Sequence, residues 1–200
     1  MELNRLELWS MNNPIRRWLQ KQVEFRLFNK LLVTRQIDPA GKRVLDLACG
    51  SGYSLKLISE GFKPSYLAGF DIMSRQIHLA RNRFAKYGSL FQGDLTKLGI
   101  KNEWFDLVIG FGILHHLEDL NMAISEISRI TKPWGYLLIE EPNAYASEFF
   151  RKFIRFNIPK AGAFSFDDLN RRMENKGFVL LDSKTILLPC FKACLFQKQL

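Results

Sequence analysis

Three short apolar runs in the first half of this chain each lead into a carboxylate, and the spacing of those acids suits the grip of a nucleoside. Asp46 stands before a bend of small residues, Ala48, Cys49, Gly50 and Gly52, within the segment VLDLACGSGYS. Glycine at such a bend lets the backbone turn tightly and lets a ligand approach with no Cβ in the way. Asp71 follows Gly52 by 19 residues, where an acid closing a second strand accepts hydrogen bonds from both hydroxyls of a ribose. Asp94 lies just past a third run, in FQGDL. Each acid also has a structural reading, as an interior acid on loop amides, a helix cap or a turn residue, but all three converging on one sheet rim favours a ligand. A dinucleotide loop would put a third glycine where Leu55 stands and open its amides to a pyrophosphate. An adenosine with an ammonium-bearing tail, its cation matched by Asp46, fits better than one bearing phosphates.

These residues need a parallel sheet to bring them together, and the pattern supplies one. Strand candidates at 43–48, 66–70, 89–92, 105–109 and 135–140 alternate with helix candidates at 53–60, 74–87 and 120–131, the signature of βαβ units around a sheet buried on both faces. Ala123, Ile124, Ile127 and Ile130 recur at helical spacing, and Lys132 with Pro133 stops that helix. Ser165 predicts a further helix start and Gly177 its stop, followed by β segments at 178–188 and 191–197. A hairpin through Pro189 sets the last strand antiparallel at or near one side of the sheet. Ahead of the core, Ile15, Trp18, Leu19, Val23 and Leu27 fall on one helical face, with Arg16, Arg17, Lys21 and Glu24 elsewhere, which predicts an amphipathic helix packed on the core. Asp38, Pro39 and Gly41 make the linker into the first strand. The expected organisation is an N-terminal helical cap at 1–40 and one domain at 41–200 with an insertion at about 142–165.

At 200 residues, 47% hydrophobic and 24% charged, the composition is that of a soluble globular protein with a substantial core. The chain shows neither a secretory h-region nor a membrane-length apolar run. The three cysteines, Cys49, Cys190 and Cys194, form no CxxC pair and no even disulfide set, which points to reduced thiols in the cytoplasm and to no metal site. The net charge of +9 is unevenly spread: residues 1–43 hold 9 Lys/Arg against 4 Asp/Glu and residues 150–176 hold 7 against 3. Both blocks are aromatic, with Trp9, Trp18, Phe25 and Phe28 in one and Phe150, Phe153, Phe156, Phe164 and Phe166 in the other.

The segments VLDLACGSGYS, LAGFDIMSRQIHLAR, LFQGDLTKL, FDLVIGFGILHHLED and PWGYLLIEEPN, in this order, resemble the successive motifs of class I S-adenosylmethionine-dependent methyltransferases, the small-molecule type similar to those of quinone biosynthesis. They cover roughly residues 43 to 143. The resemblance implies an α/β, Rossmann-like, doubly wound sheet of seven strands in the order 3-2-1-4-5-7-6 with the last antiparallel. It implies S-adenosylmethionine as cofactor, with Asp46 and the loop of Ala48, Cys49, Gly50 and Gly52 around the methionine portion. Asp71 and Ile72 would then serve the ribose, Asp94 and Leu95 the adenine edge, and Gly110 and Phe111 the methionine tail. Ala48 departs from the glycine frequent at its position, and a slight shift of the loop is expected.

Methyl transfer is an in-line displacement, so alignment and exclusion of water carry most of it. An oxygen acceptor also needs its proton removed, and His115 and His116, just past the fourth strand, are the candidates; both can instead cap or pack the next helix. Glu140 and Glu141 are equally balanced between the site and loop anchoring. The basic, aromatic blocks would form a lid suited to a small anionic or amphiphilic acceptor, lipid-like or quinone-like, or to one presented at an anionic membrane. Two other readings differ in class. Methylation of RNA or protein would use the basic blocks as a track, but the chain lacks an appended RNA-binding module, and Gly110-Phe-Gly-Ile is not the Asn/Asp-Pro-Pro-Tyr type of loop associated with base amines. The third is a cofactor-binding scaffold without catalysis.

Overall fold

The computed structural model describes residues 12–186 and 188–200; Trp9 and Leu187 lie outside them. Seven strands form one sheet: β1 (Arg43–Leu47), β2 (Tyr66–Asp71), β3 (Ser89–Gln92), β4 (Phe105–Phe111), β5 (Thr131–Pro142), β6 (Phe178–Ile186) and β7 (Leu188–Lys198). Their order is β3-β2-β1-β4-β5-β7-β6, the order implied by the resemblance. The first five pair in parallel and β7 runs antiparallel to both β5 and β6. Ile186 pairs with Leu188, so the chain reverses before Pro189, which lies inside β7. The last strand is thereby inserted between β5 and β6, and β6 takes the edge. In β5 the pairing starts at Thr131, four residues before the expected start at Gly135, with a register shift opposite Phe105 and Leu107 and Trp134 at φ 62.

Helices cover the sheet: α1 (Pro14–Leu19), α2 (Phe25–Thr34), α3 (Tyr53–Phe62), α4 (Ser74–Phe84), α5 (Leu120–Ile130), α6 (Ala144–Phe149) and α7 (Phe166–Glu174). The Ser165 side chain accepts the Asp168 N–H and starts α7 as its sequence predicts. In α5 the residues at helical spacing, Ala123, Ile124, Ile127 and Ile130, are all 0% exposed. Each such apolar side chain taken from water contributes roughly 1.5–3 kcal/mol when large. Among the described residues no helix is long and apolar enough to cross a membrane.

The N-terminal helix departs from its expected faces. A five-residue π-turn, Gln20–Glu24, joins α1 to α2. Its wider loop adds a residue and breaks the 3.6-residue period, so a stripe drawn through both helices is not one face. Phe28, Leu31 and Leu32 of α2 are buried, with Val23 and Leu27 packed beside them, whereas Ile15 and Trp18 of α1 are 69% and 59% exposed. Glu24, expected outside, is buried.

Candidate active site

The parallel register lines up the carboxyl ends of the central strands. Asp46 lies beside Gly69 of β2 and Ile109 of β4, while Phe111 of β4 pairs with Glu140 of β5. Beyond β1 the chain bends through three residues at positive φ, Ala48 (49°), Gly50 (54°) and Gly52 (89°). Ala48 therefore holds a conformation that glycine takes freely, at a strain of about 1–2 kcal/mol. Gly52 needs its bare Cα for a second reason: a Cβ there would come within 2.9 Å of the Ala80 Cβ, so it fits α3 against α4.

Two cavities sharing Ala48, Gln76 and Phe111 as walls run along this rim. One is bounded by Asp46, Cys49 and Gly50, the other by Asp71, Ile72, Asp94 and Leu95. Of the residues expected to bind a cofactor, Gly52 and Gly110 line neither. Both are structural neighbours, a Cβ on Gly110 meeting Ile113 Cγ2 at 3.1 Å. Asp94 is exposed, and one of its oxygens already accepts the Thr96 N–H and hydroxyl, each at 2.8 Å. Asp71 is buried and accepts the Gly50 N–H at 3.0 Å on one oxygen and the Met73 N–H at 2.8 Å on the other. It thus ties the β1 loop to the start of α4, and each oxygen keeps a second lone pair.

Asp46 is 1% exposed, and the Ser54 hydroxyl donates to one of its oxygens. Its other oxygen, Oδ1, has no hydrogen-bond partner, and neither does the buried Gln76 Oε1. Burial pushes the Asp46 carboxyl up to about 7, opposed by Ser54 and reinforced by Asp71. Because the folded value lies above the ordinary one, the folded protein holds a proton that the unfolded chain has lost between pH 3.8 and about 7. Stability of the ligand-free protein from this group should fall as pH rises through that window. Affinity for an ammonium-bearing ligand should rise over the upper part of it, as Asp46 ionises. Calorimetry and thermal melts at several pH values test the opposed slopes; affinity that is flat or falling with pH would remove Asp46 as the ammonium partner. Burial also raises the Cys49 thiol, helped by Asp46 and Asp71, so it stays protonated.

A third cavity, of about 320 Å³, shares Phe111, Gly112 and His116 with the Asp71 cavity and Arg16 and Phe111 with the Asp46 cavity. Leu19, Phe150, Phe156 and Phe191 supply apolar wall, and Arg16, Glu24, His115 and Glu140 supply the polar groups. The two histidine rings lie 4.1 Å apart, tilted by 39°, but differ in their partners. His115 Nδ1 is 2.8 Å from Glu141, whose carboxylate also accepts the backbone N–H groups of Ile113, Leu114 and His115. His116 Nδ1 is buried without a partner, and burial followed by the charge of His115 holds this ring well below the usual histidine range. His116 is therefore neutral at pH 7. Arg16, Glu24 and Gln76 escaped sequence reasoning: the first two were assigned away from the core, and Gln76 has no motif of its own.

A family model described as a methyltransferase domain matches residues 45–139. That stretch carries the sheet rim and the whole lining of the Asp71 cavity. Residues 45–139 carry a methyltransferase domain, and over this stretch the chain is similar to S-adenosylmethionine-dependent methyltransferases. It is 33% identical over 104 residues to a fatty-acid O-methyltransferase of Mycolicibacterium smegmatis, covering 52% of this chain and 38% of that protein. Over 140 residues it is 26% identical to a ubiquinone/menaquinone biosynthesis C-methyltransferase of Desulfotalea psychrophila, covering 68% of this chain and 57% of that one. The chain thus spans less than two thirds of the length of these curated relatives. In fold it is similar to a Haloferax volcanii methyltransferase solved in complex with a methyltransferase activator, with a TM-score of 0.77, 15% identity and 100% coverage of both chains. S-adenosylmethionine is the cofactor of this methyltransferase domain. The residues present fit it: an unpartnered Asp46 oxygen suits its ammonium group, and the bare, outward Gly50, with nothing within 4 Å of a Cβ position, leaves room beside it.

Proposed function

We propose that this methyltransferase moves a methyl group to a small amphiphilic acceptor held in the cavity beyond Phe111. The supporting observation is the shared wall: Phe111 borders all three cavities, so the third, walled by apolar side chains over a polar floor, adjoins those lined by the expected cofactor residues. The bound sulfonium supplies an activated methyl carbon. Asp46, Ala48, Cys49 and Gly50 would hold the methionine portion, Asp71 and Ile72 the ribose, and Asp94 and Leu95 the adenine edge, with Gly52 and Gly110 shaping the loops beneath. Phe111 and Gly112 separate the two ligands. His116, neutral and unpartnered, would take the proton of a hydroxyl acceptor, while His115 is fixed by Glu141 and orients the loop.

In this reading residues 12–40, the described part of the expected cap at 1–40, are a helical cap on the domain at 41–200, residues 1–11 lying outside the described residues, and the segment at about 142–165 is a lid. Both wall the acceptor cavity, the cap with Arg16 and Leu19 and the lid with Phe150 and Phe156. The same two segments expose Ile15, Trp18, Phe149 and Phe153, the last at 72%, alongside the two basic blocks. That combination suits an enzyme of the cytoplasm that docks on an anionic membrane to collect an apolar-tailed acceptor. The matched relatives are named for fatty-acid methylation and for ubiquinone/menaquinone biosynthesis, which supports an amphiphile.

Incubating the purified protein with methyl-tritiated S-adenosylmethionine and fractions of a cell extract should place label in organic-soluble small molecules. Label confined to RNA or protein would overturn the acceptor class, and turnover of the cofactor with any acceptor excludes a mere scaffold. Co-sedimentation should show binding to anionic but not zwitterionic vesicles. Phe153→Ser should weaken it about tenfold, matching the loss of one buried aromatic contact. Equal binding by the variant would detach the lid from the membrane.

A further inference from the structure

The polar floor of the acceptor cavity runs against the basic surface around it. Arg16 is the only Lys or Arg among the described residues that line the cavity. Its Nη1 is 2.7 Å from Glu24 Oε1, so its charge is already matched. The other oxygen of Glu24 is buried with no hydrogen-bond partner, and Glu24 is 8% exposed. Glu140, 6% exposed, adds a second carboxyl group, and His116 Nδ1 is a further unpartnered buried atom on the same wall. Burial raises the Glu140 carboxyl well above the usual range, with Glu24 adding and Arg16 opposing, which leaves the floor close to electrically neutral. A buried carboxylate or phosphate head would meet no free cation and would lie against Glu24. A hydroxyl instead finds unpartnered acceptor atoms to bond.

We propose that Arg16, Glu24 and Glu140 form a charge-balanced, hydroxyl-binding floor that admits an uncharged alcohol or phenol head on an apolar tail and refuses a carboxylate or phosphate head. The inference rests on the cavity being the acceptor site. Positive charge at the rim then serves the membrane, and the interior selects the head group. Glu24, carried inward by the π-turn, is the specificity-determining residue because it occupies the arginine that an anion would otherwise use.

The test is binding of dodecanol, dodecylphenol and dodecanoate to the full chain saturated with S-adenosylhomocysteine, followed by intrinsic tryptophan fluorescence and calorimetry. The two hydroxyl probes should bind at least about tenfold more tightly than dodecanoate, the cost of burying an unpaired charge. Glu24→Gln frees Arg16 and should raise dodecanoate affinity by about tenfold while changing dodecanol by less than about threefold. Dodecanoate binding the wild-type protein as tightly as dodecanol overturns the proposal, and this comparison stands even if the variant fails to fold. So does a folded Glu24→Gln protein with an unchanged preference. If S-adenosylhomocysteine binds but none of the three probes does, the acceptor cavity itself has been misplaced and this inference falls with it.

Discussion

Replacing Asp71 with alanine should weaken binding of S-adenosylhomocysteine by about a hundredfold. Two hydrogen bonds from ribose hydroxyls to a carboxylate contribute roughly 1.5 kcal/mol or more each, and about 2.7 kcal/mol corresponds to that factor. The side chain also fixes the cleft before any ligand arrives, since it accepts the N–H groups of Gly50 and Met73. Alanine orphans both amides, so a loss of stability of about 1–3 kcal/mol should accompany the loss of affinity. Asp71→Asn keeps the shape and one oxygen acceptor, and should fall between wild type and Asp71→Ala on both measures. Calorimetry read beside a thermal melt separates the effects. Unchanged affinity in a folded Asp71→Ala protein would mean that the ribose lies elsewhere.

What could be read from the residues alone divides by range. The bend after β1, the acids near the ends of β1 and β2 and the acid just past β3 obey local rules of strand, turn and helix start, and the structure gathers them along one sheet rim. The sheet order followed from the motif resemblance and not from any pairing rule visible in the chain. The faces of the N-terminal helix were misjudged because a π-turn at Gln20–Glu24 leaves no mark in an apolar pattern. Its inward-facing Arg16 and Glu24 satisfy each other's charge, a tertiary condition that helical periodicity does not contain. Gly162 illustrates the same limit: a Cβ there would stand 1.8 Å from the His115 carbonyl oxygen, a contact between segments 47 residues apart in sequence. Glu140 and Glu141 were indistinguishable as neighbours in sequence. On a strand, successive side chains point to opposite faces, so one faces the acceptor cavity and the other the loop after β4.

That division makes Glu141 a side chain of the site whose removal should cost the fold heavily. It is 1% exposed and accepts four donors: the N–H groups of Ile113 at 2.9 Å, Leu114 at 2.7 Å and His115 at 3.3 Å, and the ring nitrogen of His115 at 2.8 Å. Glu141→Ala leaves these groups buried without an acceptor, a loss of about 3–5 kcal/mol. At this chain length that lowers the melting temperature by roughly 10 °C or more. Because Gly112 and His116 border both the Asp71 cavity and the acceptor cavity, the loosened loop should also weaken cofactor and acceptor binding together. Glu141→Gln retains one oxygen but turns an amide N–H₂ toward the donors, so it should recover only part of the loss. Hydrogen exchange of the amides at 113–115 distinguishes this clamp from a general packing defect: those amides should exchange fastest relative to wild type, ahead of the β4 core. A Glu141→Ala protein that melts within about 2 °C of wild type, with those amides still protected, would show that the loop holds itself.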